Sequence, residues 1–255
     1  MKKLSYLLVL LLFVSVQTLF ALTGMDIVKK VDAQKQPTSS VAKMKMTLIS
    51  KSGSQKTREI IAYLKDSKEG AKSLMKFLAP ADIRSTGFLV WEHKDKDDDQ
   101  FLYLPALKKV RRISSSQKNQ SFLGTDFSYQ DLESRDINKA THKLLKEEKF
   151  NGDDCYVVES TPKPGEDYQY SKLVEWVRKD NFVPVKAEMY DKTGKVFKIL
   201  TVEKIENING YWIVKKSIME NLRTKHKTIL EIINIKINPN LPDKYFTQRF
   251  LEKDI

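Results

Sequence analysis

The sequence predicts a mostly β protein built on one wide, curved antiparallel sheet, and three observations carry that expectation. Apolar and polar residues alternate with a period of two in segment after segment, the mark of strands with one buried face. Turn residues that tolerate positive φ separate such segments: Asn151-Gly152, Asn209-Gly210 and Asp191-Lys192-Thr193-Gly194 each lie between two of them. Helical periodicity is confined to two short stretches.

In chain order, the first residues read as a leader rather than as part of the fold. Lys2 and Lys3 precede an apolar run from Leu4 to Val16, and Gln17-Thr18-Leu19-Phe20-Ala21 offers a cleavage point after Ala21. The run falls short of the roughly 20 residues that a spanning helix needs. It also lacks the cysteine that a bacterial lipoprotein signal requires. Residues 1–21 are therefore expected to be a secretory signal peptide and residues 22–255 a single domain in the periplasm of a diderm bacterium, with no stable membrane insertion once the leader is gone.

Thr23 is placed to cap a short helix over Met25 to Ala33, with Ile27, Val28 and Val31 on one side. Strands follow. Met44, Met46 and Leu48 alternate with Lys43, Lys45 and Thr47, and Ile60, Ala62 and Leu64 with Glu59, Ile61, Tyr63 and Lys65. Further strands are expected at Leu74–Leu78, Phe88–Glu92, Phe101–Leu104 and Val110–Ile113. A second helical turn is expected after Gly124, capped by Thr125 or Asp126 and running through Tyr129 and Leu132. The rest is strand: Lys143–Phe150, Tyr156–Ser160, Leu173–Arg178, Val183–Tyr190, Val196–Val202, Tyr211–Met219 and Thr224–Ile237. A flat sheet of this width leaves a face bare and two edges open, so it must curve and something must fill the hollow.

Composition narrows the function. With 45 basic and 33 acidic side chains the net charge is +12, which in a cytosolic protein would raise nucleic acid as a partner. Export argues against that and turns the charge toward anionic lipid head groups or an acidic protein face. Cys155 is the only cysteine, so no internal disulfide is available; its setting in Cys155-Tyr156-Val157-Val158 suits a buried, inert thiol.

Catalytic motifs fare poorly. Ser115-Ser116-Gln117-Lys118 and Lys192-Thr193-Gly194 fit the S-x-x-K and K-T-G patterns of penicillin-binding proteins, but the serine follows a strand-like run and no S-x-N element lies between the two. His93, His142 and His226 have no second ligand at metal spacing, and Asp95-Lys96-Asp97-Asp98-Asp99 lacks the glycine and distal glutamate of a calcium loop. The expectation is no enzyme, no cofactor and no metal.

The segment from Phe101 to Leu132 is the most distinctive. Tyr103-Leu104-Pro105-Ala106, Val110-Arg111-Arg112-Ile113 and Ser121-Phe-Leu-Gly-Thr-Asp-Phe-Ser-Tyr-Gln-Asp-Leu132 together resemble the outer-membrane lipoprotein-sorting family, the LolA-like proteins linked to RND or MMPL-type exporters. The likeness continues through Val177-Arg178, Val183-Pro184-Val185-Lys186, Tyr190-Asp191, Gly194-Lys195, Leu241-Pro242-Asp243 and Phe246-Thr247. It implies an open antiparallel half-barrel of the LolA/LolB kind, with short helices forming a lid over an apolar cavity. It also implies a carrier for lipids or lipoprotein acyl chains, working with an RND/MMPL-type inner-membrane transporter.

The residues expected to line that cavity are Met44, Met46, Leu48, Met75, Phe77, Leu89, Trp91, Leu102, Leu104, Val185 and Met189, because flexible thioethers and large apolar side chains suit guests of variable shape. Phe122, Leu123, Gly124 and Phe127 are the candidate lid, and Lys108, Lys109, Arg111 and Arg112 the candidate contacts to a head group or partner. The main rival is a non-catalytic envelope scaffold whose sheet is filled by its own side chains. An enzyme resting on Ser115 comes third.

Overall fold

The computed structural model describes residues 22–94 and 96–254. The leader expected at residues 1–21 lies outside the described residues. A short helix, α1 (Gly24–Asp32), opens the fold. Thr23 caps it reciprocally: its hydroxyl accepts from the Asp26 amide at 3.2 Å while the Asp26 carboxylate accepts from the Thr23 amide at 2.9 Å.

Among the described residues thirteen strands follow. Six precede a long connection: β1 (Ser39–Ile49), β2 (Gln55–Lys65), β3 (Lys72–Ala79), β4 (Gly87–Trp91), β5 (Asp99–Leu104) and β6 (Lys109–Arg112). Seven follow it: β7 (Ala140–Phe150), β8 (Asp153–Pro162), β9 (Lys172–Arg178), β10 (Pro184–Tyr190), β11 (Val196–Ile208), β12 (Tyr211–Asn221) and β13 (His226–Ile237). A short turn of helix, α2 (Gln248–Leu251), lies beyond β13.

All the strands belong to one antiparallel sheet in the order β6-β5-β4-β3-β2-β1-β13-β12-β11-β10-β9-β8-β7, and the sheet is not closed. Each half is a meander of neighbouring hairpins, and β1 pairing with β13 joins the halves at the centre. The turn chemistry holds: Asn151 and Gly152 sit at φ 50° and 93°, Asn209 and Gly210 at 55° and 84°. The second helix expected after Gly124 does not form as such. Residues 121–128 make a small loop closed by a Ser121–Ser128 bridge, and only Gln130–Leu132 winds into a 3-10 turn.

Because β6 and β7 are opposite edges, residues 113–139 must cross the sheet, and they do so over one face. There Ile113, Phe122 and Tyr129 pack into a buried cluster with Met46, Leu48, Ile60, Phe77, Phe88, Val90 and Leu102. The other face of the same strands is covered by the chain end: Leu241, Phe246, Phe250 and Leu251 bury Leu74, Leu89 and Phe101. Burying each of these terminal aromatic or aliphatic side chains stabilises the fold by about 1.5–3 kcal/mol. Gly87 makes the seat possible, since a Cβ there would come within 2.5 Å of the Leu251 side chain and 3.2 Å of its backbone carbonyl.

The clasp on this outer face is polar. Lys76 on β3 is fully buried, and its Nζ donates to the carbonyls of Leu251 at 2.7 Å and Ser85 at 3.0 Å. Burial pulls its ammonium down to about 8, opposed by the attraction of Asp254. Between that value and the unfolded 10.5 the native state binds fewer protons than the unfolded chain, so stability rises with pH across the window. Below pH 8 the full cost of the buried charge is present. Wild type minus Lys76→Met, compared by urea unfolding between pH 8 and 10.5, is expected to gain about 3 kcal/mol. A flat difference would show that the ammonium is not desolvated.

Candidate functional site

Two features of the inner face bear on function: the crossing segment and an open cleft beside it. The crossing segment rests on apolar packing and is hooked by polar contacts to strands of both halves. Phe122 sits at ring-centroid distances of 5.0 Å from Phe88, 5.6 Å from Tyr129 and 6.2 Å from Phe77. Arg58 on β2 donates from Nη1 to the Leu123 carbonyl at 2.8 Å. Leu123 and Gly124 form the tip at φ 50° and 76°; a Cβ at Gly124 would meet nothing within 4 Å, so the glycine serves the backbone angle rather than space.

Two buried carboxylates anchor the segment beyond that tip. The Asp126 amide donates to Thr228 Oγ1 at 3.0 Å, and the Asp126 carboxylate accepts from that hydroxyl at 2.7 Å, with His226 Nδ1 also at 2.7 Å. Asp131 accepts from the Ser128 amide at 2.8 Å and from the Tyr170 hydroxyl at 2.7 Å, and lies 3.3 Å from Lys198 Nζ. Burial first, and then the charge of Asp131, push the Tyr170 phenol well above its ordinary range, so it stays a donor.

The sequence-predicted residues divide accordingly. Met46, Leu48, Phe77 and Leu102 come together with Phe122, and Met44, Met75, Leu104 and Leu123 pack against them. This part of the expected cavity wall is filled by the crossing segment. Phe127 meets Met189, Tyr170, Leu173, Ala187 and Met219 in a neighbouring cluster, whereas Val185 packs apart with Cys155, Val157, Val174 and Trp176. Leu89 and Trp91 are on the outer face under the chain end, with Trp91 Nε1 donating to the Phe246 carbonyl at 2.9 Å. Their placement in the inner wall is corrected by the pleat, which turns Phe88 and Val90 inward and Leu89 and Trp91 outward.

Arg112 is likewise engaged, bonded to the Asp99 carboxylate. Lys108, Lys109 and Arg111 are exposed and hold no ion pair among the described residues. The S-x-x-K lysine, Lys118, is bound to Glu133 at 2.8 Å, and Lys192 lies in a hairpin turn with its ammonium on the Tyr168 carbonyl. Among the described residues no group of three His, Cys, Asp or Glu side chains is arranged to hold a metal. Burial raises the Cys155 thiol, which keeps it protonated.

Free apolar space lies elsewhere on the sheet, in a cleft of about 370 Å³ between the end of α1 and the central strands. Its walls are Val31, Pro37, Leu64, Val183, Pro184, Trp212, Ile213, Val214, Ile232 and Ile235, and Gln34, Gln36 and Ser40 supply its polar atoms. None of these residues is among those the sequence led us to expect in a cavity wall. The reason is a bulge: register shifts between Lys43 and Met44, so that Ala42 faces Ile235 and Met44 faces Ile232. Two isoleucines three apart therefore line the same cleft, while Ile233 between them is 59% exposed. Period-two reading assigns Ile232 and Ile235 to opposite faces.

Comparison with known proteins places this arrangement in context. A family model described as that of an uncharacterized protein matches residues 69–253. No curated protein matches the chain. Among solved structures, a DUF1329 family protein from Desulfovibrio piger is 35% identical with a TM-score of 0.85, over 89% of this chain and 97% of that one. A putative outer membrane lipoprotein-sorting protein domain from Vibrio parahaemolyticus is 34% identical at a TM-score of 0.85, over 90% of this chain and 98% of that one. A LolA superfamily protein from Nitrosomonas europaea shares the fold at 24% identity and a TM-score of 0.70, over 90% and 100% of the two chains.

The anchoring of the crossing segment is open to direct test. Asp131→Ala strands the buried Lys198 ammonium, and the expected loss is about 3 kcal/mol in urea unfolding. Native-state hydrogen exchange should quicken in residues 118–132 before the strands respond. Unchanged protection there would mean that apolar packing alone holds the segment.

Proposed function

From the premise that this chain belongs to the LolA-like outer-membrane lipoprotein-sorting family, we propose that it is a periplasmic carrier for lipid or lipoprotein acyl chains. The observation that carries the reading is the apolar cleft beneath α1. Its volume of about 370 Å³ falls at the lower end of the roughly 300–1,000 Å³ typical of small-molecule sites. Each methylene taken from water into such a cleft gains about 0.8 kcal/mol, so even part of one chain provides useful affinity. A partly open wall keeps the grip loose enough for onward transfer.

The filled region beside the cleft fits a carrier as well. Met44, Met46, Leu48, Met75, Phe77, Leu102 and Leu104 are covered by Phe122 and Leu123, and lifting the crossing segment would extend the apolar surface toward β6. In this reading residues 121–128 are the lid and Arg58, Asp126 and Asp131 its catches. Among the described residues no helix is long and apolar enough to cross a membrane. Loading by an RND/MMPL-type inner-membrane exporter and delivery to the outer membrane complete the proposal; no catalytic step is involved. The dense packing around Phe122 favours one alternative, an envelope scaffold whose inner face is permanently filled.

Trp212 separates the two readings, because it lines the cleft at 38% exposure while Trp91 and Trp176 are engaged elsewhere. Titration with palmitate or a lysophospholipid is expected to blue-shift and saturate an emission that Trp212→Phe removes. Ile232→Glu places a carboxylate in the cleft and should weaken binding at least about tenfold. No Trp212-dependent change, together with no lipid in mass spectra of the native protein, would leave the scaffold.

A further inference from the structure

The turn between β5 and β6 combines features that neither the fold nor the cleft requires. Pro105–Leu107 winds one 3-10 turn, and Lys108 follows in the left-handed region at φ 46°. Leu107 is 56% exposed at this turn. Lys108 and Lys109 follow it directly, and Arg111 stands two residues on. All three cations are exposed and without an ion pair among the described residues, whereas the fourth, Arg112, is held by Asp99.

The turn is rigidly mounted. Val110 packs into the outer cluster and Ile113 into the inner one, so the base of the turn is gripped from both sides of the sheet. β6 is also an edge strand, with one row of backbone groups free to pair. A second strand is nonetheless a poor occupant. Lysine and arginine along an edge are what proteins use to prevent strand addition, and a strand would leave Leu107 outside the interface. A protruding apolar side chain beside unpaired cations matches a different surface, an anionic bilayer, whose interface takes the apolar group while its phosphates take the charges.

We infer that this turn is a membrane-docking site: Leu107 enters the interface of an anionic bilayer and Lys108, Lys109 and Arg111 lie at its phosphates. The inference does not rest on the cleft being a lipid site. Each cation near such a surface strengthens binding about fivefold, so the three together contribute about a hundredfold. Attachment of that size is reversible, and screening by salt weakens it.

Flotation of the full chain with vesicles tests this. Wild type is expected to bind vesicles containing phosphatidylglycerol more tightly than vesicles of phosphatidylcholine alone, with the difference shrinking as salt rises. The triple variant K108E/K109E/R111E should lose at least about a hundredfold on the anionic vesicles, since it replaces three attractions by repulsions. Leu107→Ser should lose about tenfold while keeping the salt dependence. Any contribution of residues 1–21 is common to all variants, and unfolding midpoints verify that each is folded. Equal binding to both vesicle types at low salt overturns the inference, as does full retention of anionic binding in the triple variant. Absence of vesicle binding altogether also overturns it, leaving an acidic protein face as the occupant of the patch.

Discussion

The sheet's order imposes the constraint on which the rest of the molecule depends. With β1 paired to β13, the chain leaves one half at the edge strand β6 and must begin the other half at the far edge, β7. A connection between opposite edges of an open sheet has to cross a face. Residues 113–139 are that crossing, so the inner face acquires a cover as a consequence of topology. The apolar residues of the crossing, Ile113, Phe122 and Tyr129, are the ones that meet the strands, which makes the connection part of the core rather than a surface loop.

The two faces are closed by different means. Outside, the chain end lies on β1 to β6 through Phe246, Phe250 and Leu251, and the buried ammonium of Lys76 ties down two backbone carbonyls. Inside, the cover is tied by side chains of its own: Asp126 reaches β13, Asp131 reaches Tyr170 and Lys198, and its backbone at Leu123 is held by Arg58. Carboxylates removed from water and satisfied by several donors hold a definite geometry.

The apolar cleft lies where the cover does not reach. Beneath α1 the strands β1 and β13 are out of simple register, and the bulge turns Ile232 and Ile235 into one cleft with Leu64 and Trp212. Helix α1 packs on strands of the second half, Ile27 against Val158 and Val177, and the cleft at its end is lined by β1 and β2 of the first half together with β10, β12 and β13 of the second.

Much of the fold was legible in the chain because its signals are local. Alternation marks strands such as Val183–Tyr190 whatever surrounds them, Asn-Gly pairs demand tight turns, and Thr23 with Asp26 caps α1 through neighbours three residues apart. In the run from Thr125 to Leu132 the expected helical turn shrinks to Gln130–Leu132, because Asp126 is held by Thr228 and His226 on β13 and Asp131 by Tyr170, partners that lie far away along the chain. In Gly87-Phe88-Leu89-Val90-Trp91 both sides of the strand are apolar, and only the chain end arriving over Leu89 and Trp91 decides which side is which. By itself, then, the sequence determined the strands, their turns and the curved sheet, since each follows from residues adjacent along the chain. Where the cover sits, which apolar face stays open and which cations stay unpaired were decided by tertiary structure, because a bulge, a crossing and a returning chain end bring together residues that no local pattern connects.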